Sequence, residues 1–391
     1  MPMTPAPLSN LRIALLGFGN VGRALVDYLS RCDPDLGIRV CALADSSGGL
    51  LLGPGDDLRN IIAQKQAGTS LCQLARERCI PDEAEFVRML PAAGIVVLVE
   101  SLPTNIRDGQ PALDLIKLAL QQGTSVVTVD KGPLVHGFAE LTQMARERGA
   151  GLAYSGTTGV RPPDTRGALG AHPRLAGTQL AAASCLPESG RADDPGAEAQ
   201  VAQVSPLPDS GLPASRVLEI RGIVNGTTNY ILTEMQQGAL SFQEALARAV
   251  SDGVAEPDPS LDVDGWDTAC KILILAKSLM GADARLDQVS RIGIGPETES
   301  LINVGKSTGR IVRLAGRARI WQGRVRVSVA PKLVGPDSIF FSVSGTSKAA
   351  IFRTAEHGEV VVHSSSGRDS ISEVIVDDIL KLAGQAGIER G

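Results

Sequence analysis

The chain has 391 residues, of which 43% are hydrophobic and 21% charged, and its formal net charge is −5. This length predicts two domains that can each bury a core, and the charge balance excludes the basic surface that nucleic acid requires. Apolar runs are too short for a membrane span and the N-terminus lacks a signal-peptide core, so we expect a cytoplasmic protein with small-molecule partners and no membrane contact.

A glycine-rich turn stands between the first predicted strand, residues 12–16, and the first predicted helix, residues 23–30. Glycines in the order G-x-G-x-x-G at this place allow a tight turn and let a phosphate approach the backbone at the helix N-terminus. The pattern predicts a dinucleotide site, and a tight turn that binds no ligand is the alternative. The turn consists of Gly17, Phe18, Gly19, Asn20, Val21 and Gly22.

The second predicted strand ends at Asp45. An acid at this place accepts hydrogen bonds from the adenine ribose and usually favours NAD. The small residues Ser46 and Ser47 follow it and leave room for a 2′-phosphate. Arg23 and Lys65 are candidate partners for that phosphate, so the choice between NADP and NAD stays open.

Strands and helices then alternate as they do in an open parallel sheet. We predict strands at residues 95–99, 125–129 and 151–154, and helices at residues 111–121 and 134–148. Ligands bind at the carboxyl ends of the strands in such a sheet. We therefore expect site residues at the carboxyl ends of these strands.

Polar side chains follow two of these strand ends. Ser101 and Thr104 follow the first of them, where they could contact a nicotinamide ribose or amide, although a helix N-cap is an equally good interpretation of Thr104 or Asn105. Lys131 follows the strand at residues 125–129. A solvated surface charge and a contact with the cofactor are both open for this lysine.

A largely apolar helix is predicted over residues 264–280. Lys271 lies within it, so its ammonium group faces the protein interior and needs an anionic partner. Asp264 and Asp267 fall on the same stripe of the helix, and Asp267 is four residues before Lys271. The alternative to a reaction centre is a buried ion pair that ties the helix to its neighbours.

The loop before this helix carries more acids than a single ion pair needs. Glu256, Asp258 and Asp262 lie in a proline-rich stretch. These carboxylates could hold the ammonium group of a ligand while Lys271 meets its carbonyl or carboxylate. Upstream, the segment Asn225 to Asn229 is predicted to open a helix with Asn225 or Thr227 as its cap, and a structural turn is at least as good a reading as substrate contact.

The cysteines and histidines give no sign of a metal site. Six cysteines contain no C-x-x-C pair, which favours reduced thiols. Four histidines stand far apart in the sequence without ligand spacing, so we expect no metal. The cysteines are Cys32, Cys41, Cys72, Cys79, Cys185 and Cys270, and the histidines are His136, His172, His357 and His363.

Five motifs together resemble the homoserine dehydrogenase family. They are G-F-G-N-V-G at 17–22, A-D-S-S-G at 44–48, V-V-T-V-D-K-G-P-L at 126–134, G-I-V-N-G-T-T-N-Y-I-L at 222–232, and the acidic loop and helix at 253–271. The resemblance implies an α/β protein with an N-terminal doubly wound Rossmann-type sheet, an α+β substrate and dimerisation domain, and a homodimer. We place the nucleotide-binding domain at 1–154, an irregular Gly/Pro-rich excursion at 155–215, the catalytic domain at 216–300, and a segment returning to the first domain at 301–391.

The resemblance also implies an activity, which is reversible hydride transfer between L-aspartate 4-semialdehyde and L-homoserine with NAD or NADP. This step leads to threonine, methionine and isoleucine. Lys131 and Lys271 match the two lysines at the family's reacting centre, and Asp267 matches an acid that orients substrate. Glu256 matches a substrate-binding glutamate of the family, and Asp262 lies nearby in the same role. Our hypothesis is that Lys271 transfers the proton while Lys131 assists or contacts the cofactor.

The sequence departs from the family pattern near Val160, where a glycine-rich loop usually forms a monovalent-cation site, so that cation is in doubt. Gly367 lies in a loop that is usually richer in glycine and is a weak candidate for a cofactor contact. These departures leave a dinucleotide-binding sensor or inactive paralogue as the alternative function. A related class that oxidises aldehydes needs a reactive cysteine beside a histidine, for which neither Cys185 nor Cys270 is suited.

Overall fold

The computed structural model of the chain describes residues 11–32, 36–160, 216–364 and 370–385. Gly367, Cys185 and the tract that follows Val160 lie outside these residues. Within the described ranges, no helix is long and apolar enough to cross a bilayer.

The first sheet has six strands, all from the N-terminal part of the sequence. Its strands are β1 Leu11–Leu16, β2 Ile38–Asp45, β3 Gly48–Leu51, β4 Val97–Glu100, β5 Ser125–Thr128 and β6 Leu152–Ala153. They lie in the order β3-β2-β1-β4-β5-β6, and all neighbours are parallel except β3, which runs antiparallel to β2. The strand order reverses between β1 and β4, and the carboxyl ends of those strands form the crevice where such sheets bind ligands.

Helices cover both faces of this sheet, as the apolar strand sequences require. They are α1 Asn20–Arg31, α2 Leu58–Gln66, α3 Leu71–Leu74, α4 Glu83–Met89, α5 Ala112–Gln121 and α6 Lys131–Glu147. Leu25 of α1 packs with Ile13 and Leu15 of β1 on one face, while Ile116 of α5 packs with Leu98 of β4 on the other. The predicted doubly wound sheet is confirmed.

The second sheet comes from the C-terminal half of the chain. Its strands are β7 Val217–Ile223, β8 Ser290–Arg291, β9 Ile311–Trp321, β10 Arg324–Val334, β11 Lys348–Thr354 and β12 Gly358–Ser364, in the order β12-β11-β7-β9-β10-β8. Its helices are α7 Gly226–Gln237, α8 Phe242–Ser251, α9 Ser260–Val263, α10 Trp266–Met280 and α11 Thr298–Ser307. All pairings are antiparallel except that of β10 with β8, so this unit is the predicted α+β part.

Helix α10 is the central helix of the second unit, and it packs on β7, β9 and β10 and also against α6. Its approach to the sheet depends on Gly316 of β9, where a Cβ would lie 2.4 Å from Cγ1 of Ile272. Because α10 contacts α6, the end of the first sheet and the acidic loop of the second unit come together.

The chain returns to the first sheet through one further helix, α12 Ser370–Gln385. Ile375 and Ile379 of α12 join the core formed by β1 and α1. Asp378 accepts hydrogen bonds from the backbone nitrogen and the hydroxyl of Ser155, at 2.9 and 2.7 Å. Residues 311–364 instead pair within the second sheet. The domain limits given above stay a prediction.

Two of the helices that begin at other residues than predicted, α10 and α6, carry site residues. Helix α10 begins at Trp266, because Gly265 has a left-handed φ of 81° and separates Asp264 from the helix. Asp264 is therefore not part of the stripe that holds Asp267. Helix α6 begins at Lys131 because Asp130 caps it, with Oδ1 accepting a hydrogen bond from the backbone nitrogen of Gly132 at 2.9 Å.

The prediction of reduced thiols is wrong for two cysteines. Cys72 and Cys79 form a disulfide, with their Cα atoms 5.0 Å apart. The short helix α3 and the turn after it bring together two residues whose spacing carries no recognised motif. Cys32, Cys41 and Cys270 take part in no disulfide among the described residues.

Candidate active site

The predicted glycine turn lies where the ends of β1 and β4 meet. Gly17 has a φ of 98°, and a Cβ on it would stand 2.5 Å from the carbonyl oxygen of Ser101. At Gly19, which precedes α1, a Cβ would meet nothing within 4 Å. The first N–H groups of α1 have no side-chain cap and stand next to this open space, which fits the pyrophosphate of a dinucleotide.

The side chains around this turn mostly pack against it or hydrogen-bond to it. Phe18 is 1% exposed and fills the core, so the turn can offer a ligand its backbone but not this ring. The hydroxyl of Ser101 donates to the carbonyl oxygen of Gly17 at 2.9 Å. The side chain of Thr104 lies near Asp130 and favours the ionised form of its carboxyl group. A contact of Ser101 or Thr104 with the nicotinamide stays a prediction.

Asp45 lies at the end of β2, at the place expected for the adenine ribose. Its Oδ1 accepts hydrogen bonds from the backbone nitrogen and hydroxyl of Ser47, at 2.8 and 2.6 Å. Its Oδ2 pairs with the ammonium group of Lys65 and accepts from the backbone nitrogen of Leu71 at 3.1 Å. Both oxygens are therefore engaged, while Ser46 is exposed beside them.

Two buried carboxyl groups adjoin the same threonine behind the crevice. Thr128 Oγ1 donates to Glu100 Oε2 at 2.5 Å and accepts from the backbone nitrogen of Asp130 at 3.0 Å. Glu100 is fully buried, and its other oxygen accepts from the backbone nitrogen of Leu102 at 2.7 Å. Burial, and then the nearby Asp130, raise the pKa of Glu100 to about 8. Glu100 is therefore a neutral acid at neutral pH, a feature the sequence reading missed.

This neutral acid predicts a pH dependence of stability. The folded protein holds a proton on Glu100 that the unfolded chain releases near its ordinary pKa, so stability should fall as the pH rises from about 5 to about 8. We expect the free energy of unfolding of Glu100→Gln to decline less over this range than that of the wild-type protein. Urea denaturation at both pH values measures the difference, and equal declines would contradict the prediction.

The predicted lysines and acids come together at the join of the two units. Lys271 Nζ lies 2.6 Å from Asp267 Oδ2 and donates to the carbonyl oxygen of Val224 at 3.0 Å. Lys131 Nζ lies 3.5 Å from Asp267 Oδ1. Lys131 is the first residue of α6 in the first unit, whereas Asp267 and Lys271 belong to α10, so Asp267 bridges two ammonium groups across the join.

Asn225 completes this cluster and was not among the predicted site residues. Its Oδ1 caps α7 by accepting from the backbone nitrogen of Thr228 at 2.7 Å. Its amide nitrogen donates to Asp262 Oδ1 at 2.6 Å and to Asp267 Oδ2 at 2.7 Å. The predicted N-cap is confirmed for Asn225, and the same side chain fixes both acids.

The charges of the cluster follow from these contacts. Burial alone would raise the pKa of Asp267, but Lys271, Lys131 and the Asn225 amide lower it below its ordinary value. Burial would lower the pKa of Lys131, but Asp267, Cys270 and Asp130 together outweigh that effect and raise it. Burial and the neighbouring Asp267 raise the pKa of Asp262. The cluster is thus an ionised aspartate between two lysines, with a second acid that is harder to ionise.

Two residues that the sequence analysis considered do not take part in these contacts. Glu256 lies exposed in the loop before α9, and in the described part of the chain no hydrogen bond or ion pair joins it to the cluster. Cys270 is fully buried beside the cluster, and burial, together with Asp267, raises the pKa of its thiol to about 12. A thiol of this kind is a poor nucleophile, which argues against the aldehyde-oxidising class.

Several known proteins are similar to this chain over nearly its whole length. The family model of homoserine dehydrogenase matches residues 203–380. The homoserine dehydrogenase of Methanocaldococcus jannaschii is 29% identical over 95% of this chain and 98% of its own length. The NAD(+)-dependent homoserine dehydrogenase of Pseudomonas canavaninivorans is 27% identical over 96% of this chain and 97% of its own. The crystal structure of homoserine dehydrogenase from Thermoplasma acidophilum matches the fold with a TM-score of 0.69 and 22% identity, and covers 96% of this chain and 99% of that one.

A dinucleotide crevice that opens beside a lysine and aspartate cluster, taken together with these relatives, defines a nicotinamide-dinucleotide-dependent oxidoreductase acting on a CH–OH group. The relatives indicate which oxidoreductase of this class the chain resembles. Residues 203–380 match the homoserine dehydrogenase family model, and relatives of that name are similar to the chain over nearly its whole length. The resemblance deduced from the five motifs is confirmed.

Proposed function

We propose that this chain interconverts L-homoserine and L-aspartate 4-semialdehyde at the cluster of Lys131, Asp267 and Lys271, in the pathway to threonine, methionine and isoleucine. The observation that carries the proposal is the bridge that Asp267 makes between the two lysines, at 2.6 and 3.5 Å, across the join of the two units. A structural ion pair needs one base for one acid. A second ammonium group beside the nucleotide crevice instead suits a reaction that develops negative charge on oxygen.

In the reduction, the aldehyde oxygen becomes an alkoxide that needs a proton. The nicotinamide supplies the hydride when it is bound, and the chain supplies the proton and the positioning. Lys271 uses two of its three N–H groups on Asp267 and Val224, which leaves one for the substrate oxygen. We assign proton donation to Lys271, and the reverse transfer in the oxidation. Lys131, whose pKa is raised, stays protonated and stabilises the oxygen.

The substrate is an amino acid, so its ammonium group needs an acceptor. Asp262 lies next to Asp267 through the shared Asn225 amide, and we propose it as that acceptor. Glu256 stays a weaker candidate, because it lies exposed on the loop before α9.

The cofactor is proposed to be NADP or NAD, held by the backbone of Gly17, Phe18, Gly19, Asn20, Val21 and Gly22. At the ribose end, Lys65 neutralises Asp45. Lys65→Ala should free the Asp45 carboxylate to accept from a ribose hydroxyl and to repel a 2′-phosphate. We expect the ratio of kcat/KM for NAD to kcat/KM for NADP to rise roughly tenfold in this variant. An unchanged ratio in steady-state assays with both cofactors would contradict this assignment.

We further propose that the enzyme is a homodimer and acts in the cytoplasm. The hairpin of β9 and β10 carries Ile320 and Trp321, which are 43% and 50% exposed and give an apolar surface for a second copy. The mass measured by light scattering tests this.

The function itself is tested by the absorbance of reduced nicotinamide when the enzyme meets L-homoserine and either cofactor. Steady formation with at least one cofactor, and none with L-serine in its place, is the expected result. Tight binding of the reduced cofactor without turnover would instead favour the dinucleotide-binding sensor, for which the relatives give no support.

A further inference from the structure

A third lysine reaches the cluster from the second sheet. Lys348 is the first residue of β11, and its Cδ lies 3.5 Å from the point where a Cβ on Gly159 would stand. Lys271 Nζ lies 3.4 Å from the same point. Lys348 Cε also lies 3.5 Å from the Cβ position of Gly226, the first residue of α7. The side chains of Lys271 and Lys348 therefore converge on one stretch of backbone.

The loop before β11 is fixed in place by helix α7. Asn229 donates from its amide nitrogen to the carbonyl oxygen of Ser347 at 3.0 Å, and Thr233 Oγ1 accepts from the backbone nitrogen of Gly345 at 3.1 Å. A Cβ on Gly226 would stand 3.0 Å from the carbonyl oxygen of Thr346, so any larger residue there would push the loop away by a few tenths of an ångström. The N-G-T-T-N segment, left open by the sequence, thus positions Lys348.

Lys348 has no carboxylate partner among the described residues. Lys131 and Lys271 share Asp267, whereas in the described ranges no carboxylate lies within salt-bridge distance of Lys348. Burial, and then repulsion by Lys271, lower the pKa of Lys348, so the half-buried ammonium group is costly where it is. A ligand anion would relieve this cost.

We propose that Lys348 binds the α-carboxylate of the amino-acid substrate and so determines the specificity of the site for an amino acid over a simple alcohol. The inference rests on the proposed function. In L-homoserine the carboxyl carbon and the hydroxyl oxygen are four bonds apart, roughly 5 Å when extended. A substrate of this length can place its oxygen at Lys271 and its carboxylate at Lys348, with its ammonium group at Asp262.

The test compares Lys348→Met with Lys332→Met, which removes an exposed lysine of β10 and serves as the control. L-homoserine and 3-aminopropan-1-ol, which lacks the carboxylate, are the two substrates. With L-homoserine, kcat/KM of Lys348→Met should fall roughly 100-fold, mostly through KM, and Lys348→Arg should recover part of it. With the amino alcohol, kcat/KM should be nearly the same in wild type and variant.

Equal losses with both substrates would overturn the inference, because they would mean that Lys348 only supports the cluster. Unchanged kinetics with L-homoserine would overturn it too. A wild-type enzyme without homoserine turnover would overturn the proposed function instead. Calorimetric binding of L-homoserine then decides the inference separately: weaker binding to Lys348→Met than to Lys332→Met would support it, and equal binding would refute it.

Discussion

Lys271→Ala is expected to lower kcat by about 10²- to 10⁴-fold with little change in the KM of the cofactor. The reason is geometric, since the Lys271 ammonium group is oriented by Asp267 at 2.6 Å and by the carbonyl oxygen of Val224 at 3.0 Å. Both bonds fix where its remaining proton points. A methyl group in its place provides no proton to the alkoxide, and only water could replace it.

The comparison with Lys131→Ala separates the two lysines. Lys131 lies further from Asp267, at 3.5 Å, and its role as a fixed charge predicts a smaller loss of kcat. Lys306→Ala removes an exposed lysine at the end of α11 and is the matched control. Stopped-flow measurement of hydride transfer gives the rates. Near-normal turnover by Lys271→Ala, or a larger loss in Lys131→Ala, would reject the assignment of the proton donor.

Asp267→Asn should destabilise the fold by about 3–5 kcal/mol and also reduce activity. The substitution keeps the shape of the side chain but leaves the ammonium groups of Lys131 and Lys271 facing each other without the anion between them. Asp264→Asn removes an exposed carboxylate three residues earlier and is the control. Chemical denaturation near neutral pH measures both variants, and a loss no greater than that of the control would contradict the bridging role.

The pH dependence gives this prediction a second signature. The pKa of Asp267 is lowered in the folded protein, because the two lysines and Asn225 outweigh its burial. Its contribution to stability is therefore present above the ordinary pKa of an aspartate and is lost as the pH falls below it. We expect the Asp267→Asn variant to lose less stability than the wild-type protein on acidification through that range.

Local patterns in the sequence predicted much of this site. The glycine turn at Gly17 was predictable because a tight turn and a close backbone approach leave few other residue types. The pairing of Asp267 with Lys271 follows from helical spacing, and the cap at Asn225 follows from the preference for short polar side chains. Each of these features is set within a few residues.

Contacts between distant segments were beyond such reasoning. The bridge from Lys131 to Asp267 joins two units, and the approach of Lys348 to Gly159 and Gly226 depends on a loop that docks on α7. The sequence predicts that the Asp45 carboxylate accepts hydrogen bonds from a ribose. In the structure, Lys65, twenty residues later, already donates to one of its oxygens. Periodicity says which face a side chain lies on, and it does not say which distant side chain comes to meet it.

The most direct test of the account is a crystal structure of the enzyme with NADP or NAD and L-homoserine. The account predicts Lys271 Nζ within about 3 Å of the substrate hydroxyl oxygen, on the side where the nicotinamide ring meets the carbon that carries it. A homoserine hydroxyl bound away from Lys271, with another group at proton-transfer distance, would contradict it.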